Sequence, residues 1–378
     1  MEAYIIKGYR SAIGKAKKGG FKNYRSDDLA VDIIKHLMTT VPEIDPKIVD
    51  DVILGCANPE GEQGLQIGRL ISARALGKEV PGVTINRYCA SGLEAIAQAV
   101  AKIKAGFGSI YVAGGIESMS MIPMTGYKLS PSYKANLENL NYHVSMGHTA
   151  EAVSSKYGIS REAADRFAYE SHQKAAAAID GGKFDDQIVA VEVEDVFVKD
   201  GKKITSSHLV AMDEGVRRDT TLEGLAKLRP VFKSGGVITA GNASQTSDGV
   251  AFTLVVSEAV VKALNLEPIA RLVSYATVGV EPRIMGIGPV DAIPKALKQA
   301  GLSMNDLGLV ELNEAFASQS LAVLRETGLN PEIVNVNGGA IALGHPLGCT
   351  GGKLSVQLIN EMRRRKQKYG MVTMCVGT

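Results

Sequence analysis

Residues 82–115 read GVTINRYCASGLEAIAQAVAKIKAGFGSIYVAGG, and their grammar decides the fold class. Residues 82–85 are a short apolar run that predicts a strand, 90–105 predict a helix, and 110–113 predict a second strand closed by Gly114 and Gly115. Strand, helix and strand in this order argue for α/β architecture with a parallel or mixed sheet. Working back toward the N-terminus, residues 3–7 and 51–55 predict further strands. Residues 27–38 predict a helix with Leu29, Ile33 and Leu37 on one face.

The C-terminal part repeats the pattern. Strand-like runs stand at 308–312, 333–336 and 371–374, with helical character over 351–363. Cys89 enters the first helix with Tyr111 opening a strand 22 residues later, and Cys349 enters the second with Met371 at the same offset. The matched spacing suggests an internal duplication. Residues 118–240 differ: a Met-, Pro- and Ser-rich opening, a helical stretch over 149–179, an alternating stretch over 189–198 and a loop over 227–236. They read as an insertion covering a site built by the two halves. The expected division is 1–118 with 241–262, then 119–240, then 263–378.

Composition narrows the function. The 378 residues are 45% hydrophobic and 22% charged, which supplies a large core and excludes wholesale disorder. Lys+Arg 42 against Asp+Glu 40 leaves +2, so a chain-wide basic field for nucleic acid is absent. Four scattered cysteines do not form a disulfide scaffold. The first residues lack a signal-peptide pattern, and the run from Gly249 is cut by Glu258, short of the ~20 apolar residues a spanning helix needs. A soluble protein of the cytoplasm, without membrane insertion, is expected. Neither a dinucleotide nor a P-loop fingerprint is present.

Cys89, at the start of a helix after a strand and a short turn, occupies a nucleophile position. The helix dipole and free N–H groups predict a lowered thiol pKa; the bland alternative is a small buried hydrophobe. His345 lies between two glycine clusters in NGGAIALGHPLGCTGG and suits a base for a thiol proton, or a loop histidine with a structural bond. Asn313 and Glu314 follow an apolar strand; they could hold water or an oxyanion, or Asn313 could cap a helix. Cys375 ends the last apolar run as a second acid/base or a buried strand cysteine. Cys56 reads as core and Cys349 as the structural twin of Cys89. Zinc spacing is missing. The run at 363–368 reads as a solvated helix end.

Taken together, NRYCASG, GNASQTSDG, NEAFASQ, NGGAIALGHPLGCTGG and the final Met-Cys-Val-Gly resemble the thiolase family, in family order and over essentially the whole chain. Within it, the motifs look more like the degradative 3-ketoacyl-CoA thiolases. The resemblance implies a five-layered αβαβα fold of two similar halves with an inserted loop domain. It implies that Cys89 attacks the keto carbon of a 3-ketoacyl-CoA, that His345 accepts its proton, and that Cys375 protonates the departing acetyl-CoA enolate. Asn313, through a water, and His345 would stabilise the enolate oxygen, and the N–H groups of Cys89 and Gly377 the tetrahedral oxyanion. Arg217, Ser244, Met146, His148 and Phe316 are the implied CoA and acyl contacts. CoA is a substrate, no metal or bound cofactor is implied, and a homodimer or homotetramer is expected. The family pattern continues past the cysteine into a glycine-rich turn and a strand; a chain ending at Thr378 would leave Cys375 on a loosely tied terminus. Three rivals stand: a condensing enzyme acting on carrier-protein thioesters, an acetoacetyl-CoA thiolase running toward condensation, and a non-catalytic acyl-CoA binder. The first usually pairs its cysteine with two histidines, which Cys375 argues against.

Overall fold

The computed structural model describes residues 2–377. Its main sheet contains β1 (Ala3–Ser11), β2 (Gly14–Lys15), β3 (Asp51–Cys56), β4 (Gly82–Ile85), β5 (Ile110–Ser118) and β6 (Ile188–Val189). A hairpin of β7 (Val191–Lys199) and β8 (Lys202–Val210) stands apart. The main sheet is completed by β9 (Ser247–Ser257), and β10 (Leu309–Leu312) pairs with β11 (Gly370–Thr373) in a second sheet.

Strands run β4-β3-β5-β9-β1-β6 across the main sheet. β3 pairs parallel with β4 and β5, whereas β9 pairs antiparallel with β5 and β1. Every residue of β9 is buried, which is why its sequence is nearly continuous apolar rather than alternating: both faces of this central strand are covered.

The two faces identify the layers. Leu29, Ile33 and Leu37 of α1 (Ser26–Thr39) and Ile67 and Ile71 of α2 (Ile67–Ala75) pack on one face with Val52, Leu54, Val250 and Phe252. On the other face, Ile96 and Ile103 of α3 (Ser91–Lys104) pack with Ile53, Tyr111 and Val255. α3 lies beside the long helix formed by Leu347–Arg365, whose Leu354 packs with Val372 of β11. Beyond the second sheet, Ile293 and Leu297 on Gly288–Ala300, and Val323 on Ala317–Thr327, cover Val310 and Leu312. The order is helices, sheet, helices, sheet, helices: the five layers of the thiolase-like fold.

Between these halves come α4 (Tyr133–Glu138), α5 (Met146–Tyr157), α6 (Arg161–Asp180) and α7 (Leu222–Ala226); after β9 come α8 (Glu258–Ala263), α9 (Gly288–Ala300), α10 (Ala317–Thr327), α11 (Ala340–Leu343) and α12 (Leu347–Arg365). No helix of the described residues is long and apolar enough to cross a membrane.

Local differences from the sequence reading have physical causes. β5 does not close at Gly114 but runs to Ser118, because β9 goes on pairing with it to that point; position 115 must be glycine, since any Cβ there would meet the Gly348 carbonyl. The helical stretch over 149–179 is two helices, α5 and α6, divided at Gly158, which takes a left-handed φ of 60°. Residues 333–336 are not a strand: Pro331–Ile333 forms a 3₁₀ turn, and only Val334 bridges to Val310. α12 starts at Leu347, so Cys349 lies inside its first turn rather than opening it. The basic run is not simply solvated, since Arg364 and Arg365 both pair with the buried Glu361.

Candidate active site

β4 ends at Ile85 and the chain must reverse into α3 within five residues. Tyr88 takes a left-handed φ of 43°, unusual for an aromatic residue and costing on the order of 1–3 kcal/mol. Two short bonds hold the bend: Asn86 Oδ1 accepts from Tyr88 N (2.7 Å), and Ser91 Oγ accepts from Arg87 N (2.8 Å). Cys89 sits in the 3₁₀ turn that follows, just ahead of α3. Its twin Cys349 is fully buried within α12, and burial pushes that thiol up to about 12.

His345 arrives from the other half. Gly344, with φ 97°, turns the chain from α11 toward α12. His345 N donates to Gln245 O (3.1 Å) and to Ser247 Oγ (3.2 Å) at the start of β9. Its Nε2 lies 3.3 Å from Cys89 Sγ and 3.3 Å from Asn313 Nδ2. Asn313 follows β10, with its N–H donating to Thr373 O of β11 at 2.9 Å. It is not a helix cap; Phe316 holds that place for α10. Among the described residues, Asn313 Oδ1 is buried without a hydrogen-bond partner, an acceptor free to face a ligand. Glu314 instead acts as a brace, accepting from Ser171 Oγ (2.7 Å), Asn335 Nδ2 (2.9 Å) and Ile341 N (3.2 Å).

Cys375 follows β11 and is 2% exposed; the described chain holds it in the core rather than on a loose end. Burial and the neighbouring Cys89 push its thiol upward. The backbone N–H groups of Gly377 and of Cys89 itself act against such a rise at Cys89, favouring its thiolate.

The electrostatics correct one expectation. Cys89 is not acidified: burial pushes its thiol up to about 11, outweighing the Gly377 and Cys89 N–H donors. Burial, with Lys353 adding to it, pulls His345 down to about 3. The resting pair is therefore thiol and neutral imidazole. A neutral base 3.3 Å from a thiol can take its proton when negative charge moves onto a bound carbonyl.

Of the implied CoA contacts, four cluster. Met146 Sδ packs against Gly377, and His148 meets Phe232 with ring centroids at 6.0 Å, which in turn meets Phe316 at 6.5 Å. Ala243 bridges Phe316 and Ser244 N donates to Ala315 O (3.0 Å), which sets Ser244 beside them. Arg217 stands apart, half-buried, its N–H donating to His172 Nδ1 (3.1 Å). A cavity of about 640 Å³ adjoins the cluster, lined by Leu140, Val144, His148, Ala152, Phe232 and Arg283.

The chain matches the model of the thiolase N-terminal domain over residues 3–259 and that of the thiolase C-terminal domain over 266–378. The chain belongs to the thiolase family. This thiolase is 51% identical to a 3-ketoacyl-CoA thiolase of Bacillus subtilis (strain 168), covering 100% of this chain and 96% of the relative. It is 43% identical to a 3-oxoadipyl-CoA/3-oxo-5,6-dehydrosuberyl-CoA thiolase of Escherichia coli (strain K12), over 100% and 96%. Human mitochondrial 3-ketoacyl-CoA thiolase superposes with a TM-score of 0.87 at 39% identity, over 100% and 96%. The Bacillus anthracis acetyl-CoA acetyltransferase superposes with 0.86 at 39%, over the same shares. The thiolase is accordingly an acyltransferase.

Several site residues escaped the sequence reading. Ser247 and Gln245 hold the His345 backbone. Glu117 joins the halves, accepting from Ala57 N (2.9 Å), Gln63 Nε2 (2.7 Å) and Gly348 N (2.8 Å). Thr350 lies 2.6 Å from His345 Nδ1. A hydroxyl five residues past the histidine, in the first turn of α12, was the available signal, hidden among glycines.

Proposed function

We propose that this thiolase is a 3-ketoacyl-CoA thiolase, cleaving 3-ketoacyl-CoA with CoA to acetyl-CoA and an acyl-CoA shortened by two carbons, as in fatty-acid degradation. The observation that carries the reading is the convergence of Cys89, His345, Asn313 and Cys375 from both halves, in a chain 51% identical to a protein of that name.

Each step draws on one of these groups. The Cys89 proton passes to His345 Nε2 as sulfur attacks the C3 carbonyl, and the oxyanion is held by the N–H groups of Cys89 and Gly377. The C2–C3 bond then breaks; its electron pair becomes the acetyl-CoA enolate, whose oxygen is stabilised by His345 and, through a water, by Asn313. Cys375 gives its proton to the enolate carbon and acetyl-CoA leaves. The acyl group remains on Cys89 as a thioester. The Cys375 thiolate takes the proton of incoming CoA, whose sulfur attacks that thioester. The Cys89 thiolate leaves and recovers its proton from His345. Nucleophile, carbon acid and two anion sites are what a retro-Claisen cleavage demands, and one oxyanion donor is worth roughly 3–4 kcal/mol.

Met146, His148, Phe316 and Ser244 would border the pantetheine and acyl end, with the adjoining cavity as room for the chain, and Arg217 would meet the nucleotide end of CoA. CoA enters as a substrate, and the cycle balances without a metal or resident cofactor. We place the enzyme in the cytoplasm as a homodimer or homotetramer. The deciding experiment follows CoA-dependent consumption of acetoacetyl-CoA and of C8 and C16 3-ketoacyl-CoA. Cleavage with longer chains preferred is expected; turnover of acetoacetyl-CoA alone would make this an acetoacetyl-CoA thiolase, and no turnover would leave an acyl-CoA binder.

A further inference from the structure

A thiol proton can move to His345 only if Nε2 carries a lone pair, which requires the imidazole's own proton to sit on Nδ1. Something must select that tautomer. A carboxylate on Nδ1 would do so, but Nδ1 faces the Thr350 hydroxyl at 2.6 Å. A hydroxyl has one proton to give and lone pairs to accept with, so its own proton's destination decides the outcome.

Thr350 Oγ1 also lies 2.9 Å from Pro346 O. This is the helical back-bond from a threonine to the carbonyl four residues earlier, and a carbonyl oxygen can only accept. At the opposite end of the ring Asn313 Nδ2 lies 3.3 Å from Nε2, but a terminal amide can turn to present either its N–H or its oxygen, so the selection falls to Thr350. Reversing the tautomer would leave the histidine unable to take the Cys89 proton. Ring, threonine and loop are buried, with His345 at 5% and Thr350 at 0% exposure, so water does not substitute for a lost partner.

We propose that Thr350 is the positioning residue that sets the tautomer of His345. Its hydroxyl gives its proton to Pro346 O and accepts the proton on His345 Nδ1, which leaves the Nε2 lone pair facing the thiol of Cys89. The device is compact because threonine, proline and histidine lie within six consecutive residues spanning the Gly344 turn and the first turn of α12. The inference rests on the acyl-transfer reading of Cys89 and His345 given above.

The test compares wild type, Thr350→Val and Thr350→Ser, using ¹⁵N-histidine labelling to read the tautomer and a His345→Asn variant to assign the ring among the six histidines. Cys89 alkylation by iodoacetamide and acyl transfer from an acyl-CoA are measured alongside. Wild type and Thr350→Ser are expected to show the proton on Nδ1. Thr350→Val, similar in shape but without the acceptor, is expected to show it on Nε2, with acyl transfer down roughly 10²–10⁴-fold, as for a general base lost to the wrong tautomer, and KM for CoA unchanged. A wild-type ring protonated on Nε2 would overturn the proposal. So would a Thr350→Val enzyme that keeps Nδ1–H, or a Thr350→Ser enzyme as slow as the valine variant, since packing alone would then explain the loss. The tautomer and alkylation readings need no acyl-CoA. Absence of thiolysis in the wild type would count against the proposed reaction and leave those two readings to decide Thr350.

Discussion

At the scale of single residues, the site stores its reactivity in neutral form. A thiol held up to about 11 beside an imidazole held down to about 3 contrasts with a preformed thiolate–imidazolium pair, and the two differ in measurable ways. The thiolate is the alkylated species, so iodoacetamide modification of Cys89 in the free enzyme is expected to climb about tenfold per pH unit across the neutral and mildly alkaline range. A plateau already reached near neutrality would mean that the N–H donors win over burial. Cys89→Ala is expected to abolish the acyl-enzyme, which intact-mass measurement after mixing with an acyl-CoA detects; full thiolysis by that variant would remove the nucleophile assignment. Cys375→Ala separates the steps: Cys89 should still be acylated by a simple acyl-CoA while C–C cleavage falls by roughly 10²–10⁴. Equal loss of both steps would reduce Cys375 to a structural role. Cys89 stood out in the sequence through its turn into a helix, whereas the role of Cys375 came only from the motifs taken together, since a cysteine ending an apolar run reads equally as core. The direction of the Cys89 shift was not legible, because helix entry is written in neighbouring letters whereas burial is imposed by residues far away in the chain.

At the scale of elements, the site exists because two helices touch where neither has side chains. A Cβ on Gly92 of α3 would lie 2.6 Å from Gly352 N and 3.0 Å from Gly348 O of α12, and one on Gly351 would strike Leu93 N. This backbone-to-backbone approach lets the turn before α3 present Cys89 to the histidine that precedes α12. Gly92→Ala must therefore push the helices apart. Overpacking of this kind is expected to cost about 1–3 kcal/mol, read by urea unfolding, while acyl transfer falls further than stability does, because a displacement near 1 Å at a reacting pair can cost about 10²-fold. Retention of both stability and rate would show that the contact is not limiting. The matched spacing announced the duplicated helices but concealed their unequal start. α3 begins two residues after Cys89 and α12 two residues before Cys349. One cysteine is thus presented by the turn and the other absorbed into the core, and that offset depends on packing rather than on local propensity.

At the scale of the whole molecule, the seam between halves buries charge as well as glycine. Arg10 of β1 pairs with Asp213 at 2.7 Å with both side chains fully buried, and Lys353 donates to Gly344 O at 3.0 Å. Glu311 of β10 belongs to the same region. Burial, against the pull of Lys353, raises its carboxyl from 4.5 to about 8. The sign follows from proton counting. Between those values the folded state holds a proton on Glu311 that the unfolded state has released, so Glu311 makes folding less favourable as pH rises, by at most about 1.4 kcal/mol per pH unit. His345 and His172 act oppositely: burial lowers them from 6.5 to about 3 and about 4, so their contribution improves with pH and is complete above 6.5. The range from 6.5 to 8 therefore exposes Glu311 free of the histidines. Glu311→Gln, which keeps shape but cannot ionise, is expected to gain on the wild type across this range, with the difference in Tm widening steadily from pH 6.5 and levelling near 8. Parallel Tm curves for the two proteins would show that Glu311 is ionised in the folded enzyme, compensated by the nearby Lys353.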